Sequence, residues 1–155
     1  MNFKIITSLN KRLFEHRTQQ LINSALEQKY PVVLYHENSY ENKEDYLIWC
    51  DGDAYFPRPL DEMFWDFTKQ HDISCIWRDF PHIETGFVVY KINDNVKRAM
   101  REYLGWFTTG EIWKTSRYCD CSALTHVVKN NPHVKVGKYK NFEWNGPEAS
   151  EFNID

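Results

Sequence analysis

Two carboxylates, Asp51 and Asp53, stand one residue apart directly after the apolar run Tyr46-Leu47-Ile48-Trp49-Cys50. Like charges this close repel each other, and at the mouth of a cleft a cation relieves the repulsion. Carboxylate oxygens are hard ligands that suit Mg²⁺ or Mn²⁺, ions that keep positions open for water and phosphate. Gly52 lets the backbone bend and a ligand approach closely. The same residues also spell a turn, since Asp-Gly is a frequent turn dipeptide. Three neighbours weigh towards the metal: the apolar strand in front, the apolar pair Tyr55-Phe56 behind, and the extended Pro57-Arg58-Pro59 beyond.

A carboxylate pair at a strand end needs a sheet to hold it, and the chain supplies the elements. Lys4 to Ser8 reads as a short buried strand, and Asn10 as the cap of a helix with Leu13, Phe14, Leu21 and Ala25 on one face. Val32 to Tyr35 is a second strand, 37–45 an acidic loop, and Tyr46 to Cys50 a third strand. Asp61 is expected to cap a short helix through Phe67. Ile73 to Trp77 and Gly86 to Tyr90 read as strands. Val96, Ala99, Met100, Tyr103 and Leu104 share a helix face, capped by Asn93 or Asp94. A helix over 120–129, a strand over 134–139 and an irregular tail complete the chain. This β-α-β-β-α-β-β-α-α-β order predicts an α/β sandwich on a largely parallel sheet, within one domain spanning 1–155. Ligands of such sheets sit at the carboxyl ends of the strands, where Thr7, Ser8, Tyr35, His36, Asp51 and Asp53 all fall.

Composition narrows the classes of function. The net charge is -3, and the Lys and Arg residues are scattered, which gives no footprint for nucleic acid. No apolar run is long enough to cross a bilayer. Met1 to Lys4 leads straight into a strand without the marks of a signal peptide, so a cytoplasmic location is expected. Aromatics reach 16%, a share that suits ring-shaped ligands as well as an aromatic core. Cys50, Cys75, Cys119 and Cys121 form no C-x-x-C pair. The single residue between Cys119 and Cys121 suits neither a usual zinc knuckle nor an easy disulfide, so four reduced thiols are expected.

The segment from Asp45 to Leu60, with its apolar strand, Asp51-Gly52-Asp53 and Pro59-Leu60, resembles the D-x-D segment of GT-A glycosyltransferases. The segment Ile83 to Asn93, opening Ile83-Glu84-Thr85-Gly86-Phe87, is similar to a later strand of those enzymes whose first polar residues face the donor sugar. Tyr118 to Leu124 resembles the start of a late helix in glycogenin-like transferases, where an Asp touches the sugar. The opening strand, Lys4 to Ser8, looks like their nucleotide-binding strand. The resemblance runs from Lys4 to about Val128 and implies a GT-A-like, Rossmann-like sheet flanked by helices. It also implies transfer of a sugar from a nucleotide-diphosphate donor, a UDP-sugar, to a glycan, protein or small-molecule acceptor.

On that resemblance Asp51 and Asp53 hold Mn²⁺ or Mg²⁺ at the diphosphate. Glu84 and Asp120 are the catalytic candidates, for a sugar hydroxyl or as the base on the acceptor, and Asp120 also reads as the cap of the late helix. Thr7, Ser8, Arg12 and Tyr35 are expected around the base and ribose, Gly86 close to the sugar, and Trp144 in a flap over the site. Arg58, Arg78 and Lys138 are alternative phosphate partners. His126 and His133 read as structural or solvated residues, not metal ligands.

The chain departs from the family pattern in two places. Only a short loop separates Tyr35 from Asp45, where these enzymes carry a further helix and strand. The fold is therefore expected to be shortened, with a nucleotide pocket that is shallow or completed by a second copy of the chain. Asp120 is followed by Cys121 where the family has Gln. Two alternatives remain open: a nucleotide-sugar or metal-binding module without turnover, and a D-x-D phosphatase. In such phosphatases the motif opens the domain, whereas here it follows the third strand.

Overall fold

Short apolar runs punctuated by capped amphipathic helices fold this chain into a sheet with helices on both faces. The computed structural model describes residues 2–7, 15–34, 44–51, 54–56, 59–78, 82–114, 119–140 and 153–154. The strands are β1 (Phe3–Thr7), β2 (Val32–Leu34), β3 (Tyr46–Cys50), β4 (Ile73–Arg78), β5 (His82–Lys91), β6 (Val136–Lys140) and β7 (Asn153–Ile154). The helices are α1 (Glu15–Glu27), α2 (Glu62–Lys69), α3 (Asp94–Thr108) and α4 (Asp120–Asn130), with a 3₁₀ turn at Glu111–Lys114.

The strands lie side by side in the order β2-β1-β3-β5-β4-β6-β7. β1 is parallel to β2 and β3, β5 is antiparallel to β3 and β4, β6 is parallel to β4, and β7 reverses again. β1, β2, β3, β4 and β6 therefore share one direction, and β5 and β7 oppose it. The expected α/β fold forms, with five of the seven described strands in one direction and antiparallel pairings at β5 and β7. Among the described residues no strand lies outside β2, on the side where the sequence lacks a segment.

Each face of the sheet buries its own apolar cluster. Ile5, Ile48, Phe87 and Val89 meet Leu21 and Ala25 of α1 and Phe64 of α2 on one face. Ile73, Cys75, Ile83 and Val88 meet Val96 and Ala99 of α3 and Leu124 and Val127 of α4 on the other. Val88 and Val89 are adjacent yet face opposite clusters, which is why β5 reads as a continuous apolar run rather than an alternating one.

Two caps set helix starts. Asp61 accepts a hydrogen bond from the Phe64 N–H at 2.8 Å, and Asn93 accepts one from Val96 at 2.9 Å. Each such cap contributes about 1 kcal/mol. Asn93, not Asp94, is the α3 cap, and its amide also donates to Asp72 at 2.7 Å, tying α3 to the start of β4.

Three expectations are corrected. The strand carrying Gly86 starts earlier, at His82, so Glu84 lies inside β5 and not in front of it. Asp120 is the first residue of α4, and Cys119 takes the cap position without a side-chain cap bond. The tail is not wholly irregular, because Asn153 and Ile154 pair with Lys140 and Tyr139. The four cysteines are free thiols, as expected. Among the described residues no helix is long and apolar enough to cross a membrane. Leu13 and Phe14 of the expected first helix lie outside the described residues.

Candidate functional site

β3 delivers Asp51 to the carboxyl end of the sheet, and β5 runs beside it in the opposite direction. The ladder pairs Cys50 with Phe87, and the next rung is the Asp51 N–H donating to the Gly86 carbonyl at 2.9 Å. The chain after Asp51 is pinned to the body of the protein. The Ala54 N–H donates to the Asp51 carbonyl at 3.0 Å, and the Phe56 N–H donates to Ser24 Oγ of α1 at 3.0 Å. The buried Phe56 ring meets Tyr30 edge-on at 5.4 Å, and the Tyr30 hydroxyl accepts from the Leu60 N–H.

β5 is irregular where it passes Asp51. Cys75 of β4 pairs with Val88, but the next residue, Ile76, pairs with Glu84. The register with β4 thus skips over residues 85–87, and β5 bulges there while staying paired to β3. Bulges re-aim side chains and recur beside active sites. Here the bulge turns Phe87 into the α1–α2 cluster and Thr85 towards α4.

Gly86 is the centre of the arrangement. A Cβ on it would lie 3.2 Å from Asp51 Oδ2 and 3.6 Å from Glu84 Oε1. Two carboxylates from two strands therefore close on one bare stretch of backbone. Glu84 Oε1 also accepts a long hydrogen bond, 3.4 Å, from the Gly86 N–H.

Behind the bulge sits a polar cluster. The buried Thr85 donates its hydroxyl proton to Asp120 Oδ2 at 2.7 Å. Asp120 Oδ1 accepts the Cys121 N–H at 2.9 Å, and Cys121 Sγ lies 3.2 Å from Thr85 Oγ1. Thr125, one helical turn on, donates to the Cys121 carbonyl at 2.7 Å and accepts the Ile83 N–H at 2.8 Å, locking α4 to β5. Burial pushes the Cys121 thiol up, hydrogen bonds from Thr85 pull it back, and the Asp120 and Glu84 charges add to the rise. The Tyr103 hydroxyl on α3 is pushed up by burial first, then by Asp120, Cys121 and Cys119. Tyr90 of β5 is raised in the same way, by burial and then by Tyr103, Cys75 and Asp120. The same electrostatic neighbourhood thus takes in Glu84, Tyr90, Tyr103, Asp120 and Cys121.

Of the residues singled out by sequence, Asp51, Glu84 and Gly86 come together, and Asp120 joins them through Thr85, the residue between Glu84 and Gly86. Thr7 ends β1 one residue beyond the Ile6–Trp49 pair, at the same end of the sheet as Asp51. Ser8, Arg12, Tyr35, His36, Asp53, Arg58 and Trp144 lie outside the described residues. Arg78 ends β4. Lys138 sits over the Trp77 ring at 4.4 Å, a cation–π contact that gives it a structural use. His126 stacks on Trp106 at 5.0 Å, and His133 accepts from Arg98 on the surface. Sequence reasoning missed Thr85 and Cys121 as parts of the site. The one available signal was Gly86, since a lone glycine inside a strand marks a bulge. A shallow groove bordered by Tyr46, Trp65, Lys69 and Lys91 opens at the other end of β3 and belongs to no part of this arrangement.

No protein-family model matches the chain. No curated protein matches it either. Among solved structures the chain is similar to a glycosyltransferase involved in the glycosylation of the major capsid of PBCV-1. That likeness has a TM-score of 0.59 at 13% identity, over 89% of this chain and 82% of the other. At that identity the likeness shows the fold: a mixed α/β sheet between helices that resembles a glycosyltransferase fold.

Proposed function

We propose that this chain is a glycosyltransferase that moves a sugar from a nucleotide-diphosphate donor, a UDP-sugar, to an acceptor hydroxyl. The observation that carries the reading is the meeting of Asp51, Gly86 and Glu84 at the carboxyl end of a glycosyltransferase-like sheet. Carboxylate oxygens suit a hard divalent cation, Mn²⁺ or Mg²⁺, and Asp51 and Asp53 would be its protein ligands. Such an ion, when bound, supplies positive charge to the diphosphate as it leaves.

The chain's own residues divide the remaining work. Both oxygens of Asp120 already accept protein hydrogen bonds, from Thr85 and from the Cys121 N–H. Each oxygen keeps a second lone pair. Asp120 therefore suits a fixed acceptor for a sugar hydroxyl. Glu84, on the Asp51 side of the bulge, takes the role of base towards the acceptor hydroxyl. Gly86 leaves its side of the strand bare, so that the sugar can approach both carboxylates.

The direct test is calorimetric titration of UDP in the presence of Mn²⁺. The double variant Asp51→Ala/Asp53→Ala is expected to keep its fold and lose this binding. Binding of UDP and Mn²⁺ at parental affinity by the folded variant would remove the metal assignment. Donor binding without release of nucleotide would favour a sugar-nucleotide-binding module over a transferase.

A further inference from the structure

Beyond the proposed transfer site, we infer that Cys119, Asp120 and Cys121 form a second metal site, one that takes a thiophilic divalent cation of the Zn²⁺ class. The two thiols and the carboxylate each offer one donor atom, and all three atoms lie within 4.8 Å of one another. Among the described residues this is the one cluster of at least three such groups. The C-x-C spacing lacks the four ligands of a zinc knuckle, and the intervening Asp120 provides the third donor.

Three protein ligands with a fourth position open to water or a ligand is a recognised arrangement for zinc. Zn–S bonds of about 2.3 Å and Zn–O bonds of about 2.0–2.2 Å put tetrahedral donors about 3.5–3.8 Å apart. The observed donors, all within 4.8 Å of one another, lie within about an ångström of that spacing. It is also open to solvent, since Asp120 is exposed and both thiols are half-buried. Thr85 provides the outer partner that orients ligands, with its hydroxyl on Asp120 Oδ2 and 3.2 Å from Cys121 Sγ. Sulfur donors separate this site from the oxygen-only pair at Asp51 and Asp53, because soft thiolates select Zn²⁺ over Mg²⁺ or Mn²⁺. On binding, each thiol releases its proton to solvent, so one M²⁺ exchanges for two protons and is held by two thiolates and one carboxylate.

Occupancy of this site engages Asp120. If Asp120 holds the donor sugar, Zn²⁺ opposes the transfer that Mn²⁺ supports. That consequence rests on the proposed function, whereas the metal site does not.

The test is titration of the reduced full chain with Co²⁺, read by absorption. One equivalent is expected to give a sulfur-to-cobalt charge-transfer band and the visible bands of a tetrahedral ion, both removed by added Zn²⁺. Cys119→Ser/Cys121→Ser should lose the bands, and Asp51→Ala should keep them, so this site and the transfer site can fail separately. A second readout needs no variant: Zn²⁺ should protect Cys119 and Cys121 of the parent from alkylation, mapped by mass spectrometry. Absence of the charge-transfer band, its persistence in the double serine variant, or alkylation of both thiols unchanged by Zn²⁺ would each overturn the inference.

Discussion

A side chain at Gly86 would crowd the carboxylates of Asp51 and Glu84. Replacing Gly86 with Ala places a methyl group 3.2 Å from Asp51 Oδ2 and 3.6 Å from Glu84 Oε1. The side chains can swing away, so the fold should survive, but their geometry at the site should not. Gly86→Ala is expected to weaken Mn²⁺-dependent UDP binding by about 10–100-fold, the range found when groups that orient metal ligands are changed. Its melting temperature should stay close to the parent's. Unchanged affinity would show that the Asp51–Glu84 approach has no part in donor binding. Glu84 asks a different question, because Glu84→Gln keeps the shape and removes the charge. The variant should bind UDP with Mn²⁺ as the parent does and transfer sugar about 10²–10⁴-fold more slowly, the contribution typical of a general base. A rate within a few-fold of the parent would move the role of base to Asp120.

At the scale of elements, the sheet depends on close packing between β6 and α2. A Cβ on Gly137 would lie 2.6 Å from His71 Nδ1 and 2.8 Å from Phe67 Cε1, two rings already tilted against each other at 4.4 Å. Phe67 cannot give way without disturbing Tyr139, which packs on it at 5.2 Å and stacks on Phe64 at 5.7 Å, and His71 is tied to the Phe67 carbonyl through Nδ1 at 2.9 Å. Gly137→Ala should cost about 1–3 kcal/mol by overpacking. A chain of this size should lose roughly 2–4 °C in Tm per kcal/mol. An unchanged Tm would mean that α2 can shift on the sheet. These elements were legible in the sequence because their signals are local. β3 is a five-residue apolar run, and α3 shows a helical apolar stripe with Asn93 in front. The bulge was not legible. Gly86 looked like the start of a strand, because the alternation of His82-Ile83-Glu84-Thr85 is too short to stand against a glycine that usually ends a pattern. Nor could the Thr85–Asp120 bond be read, since it joins residues 35 apart through the docking of α4 on β5. Asp120 reads as a cap in the sequence because Asp favours that position. Cys119 holds it instead, and this leaves the Asp120 carboxylate turned to Thr85.

At the scale of the molecule, helices on both faces leave the carboxyl end of the sheet as the place where separate strands bring chemistry together. Asp51 comes from β3, Glu84 and Gly86 from β5, Asp120 from α4, and β1 ends beside them at Thr7. Neither composition nor any single motif specifies this convergence; it follows from the strand order, which sets β5 between β3 and β4. The similarity to a solved glycosyltransferase spans most of both chains at 13% identity, so the architecture is shared while the site chemistry must be tested on this chain. The most direct measurement is UDP released from a panel of UDP-sugars with Mn²⁺, with simple sugar acceptors and with water alone. Release from at least one donor by the parent is expected, abolished by chelation of the metal and by Asp51→Ala. No release from any donor, together with no Mn²⁺-dependent binding of UDP, would contradict the proposed function.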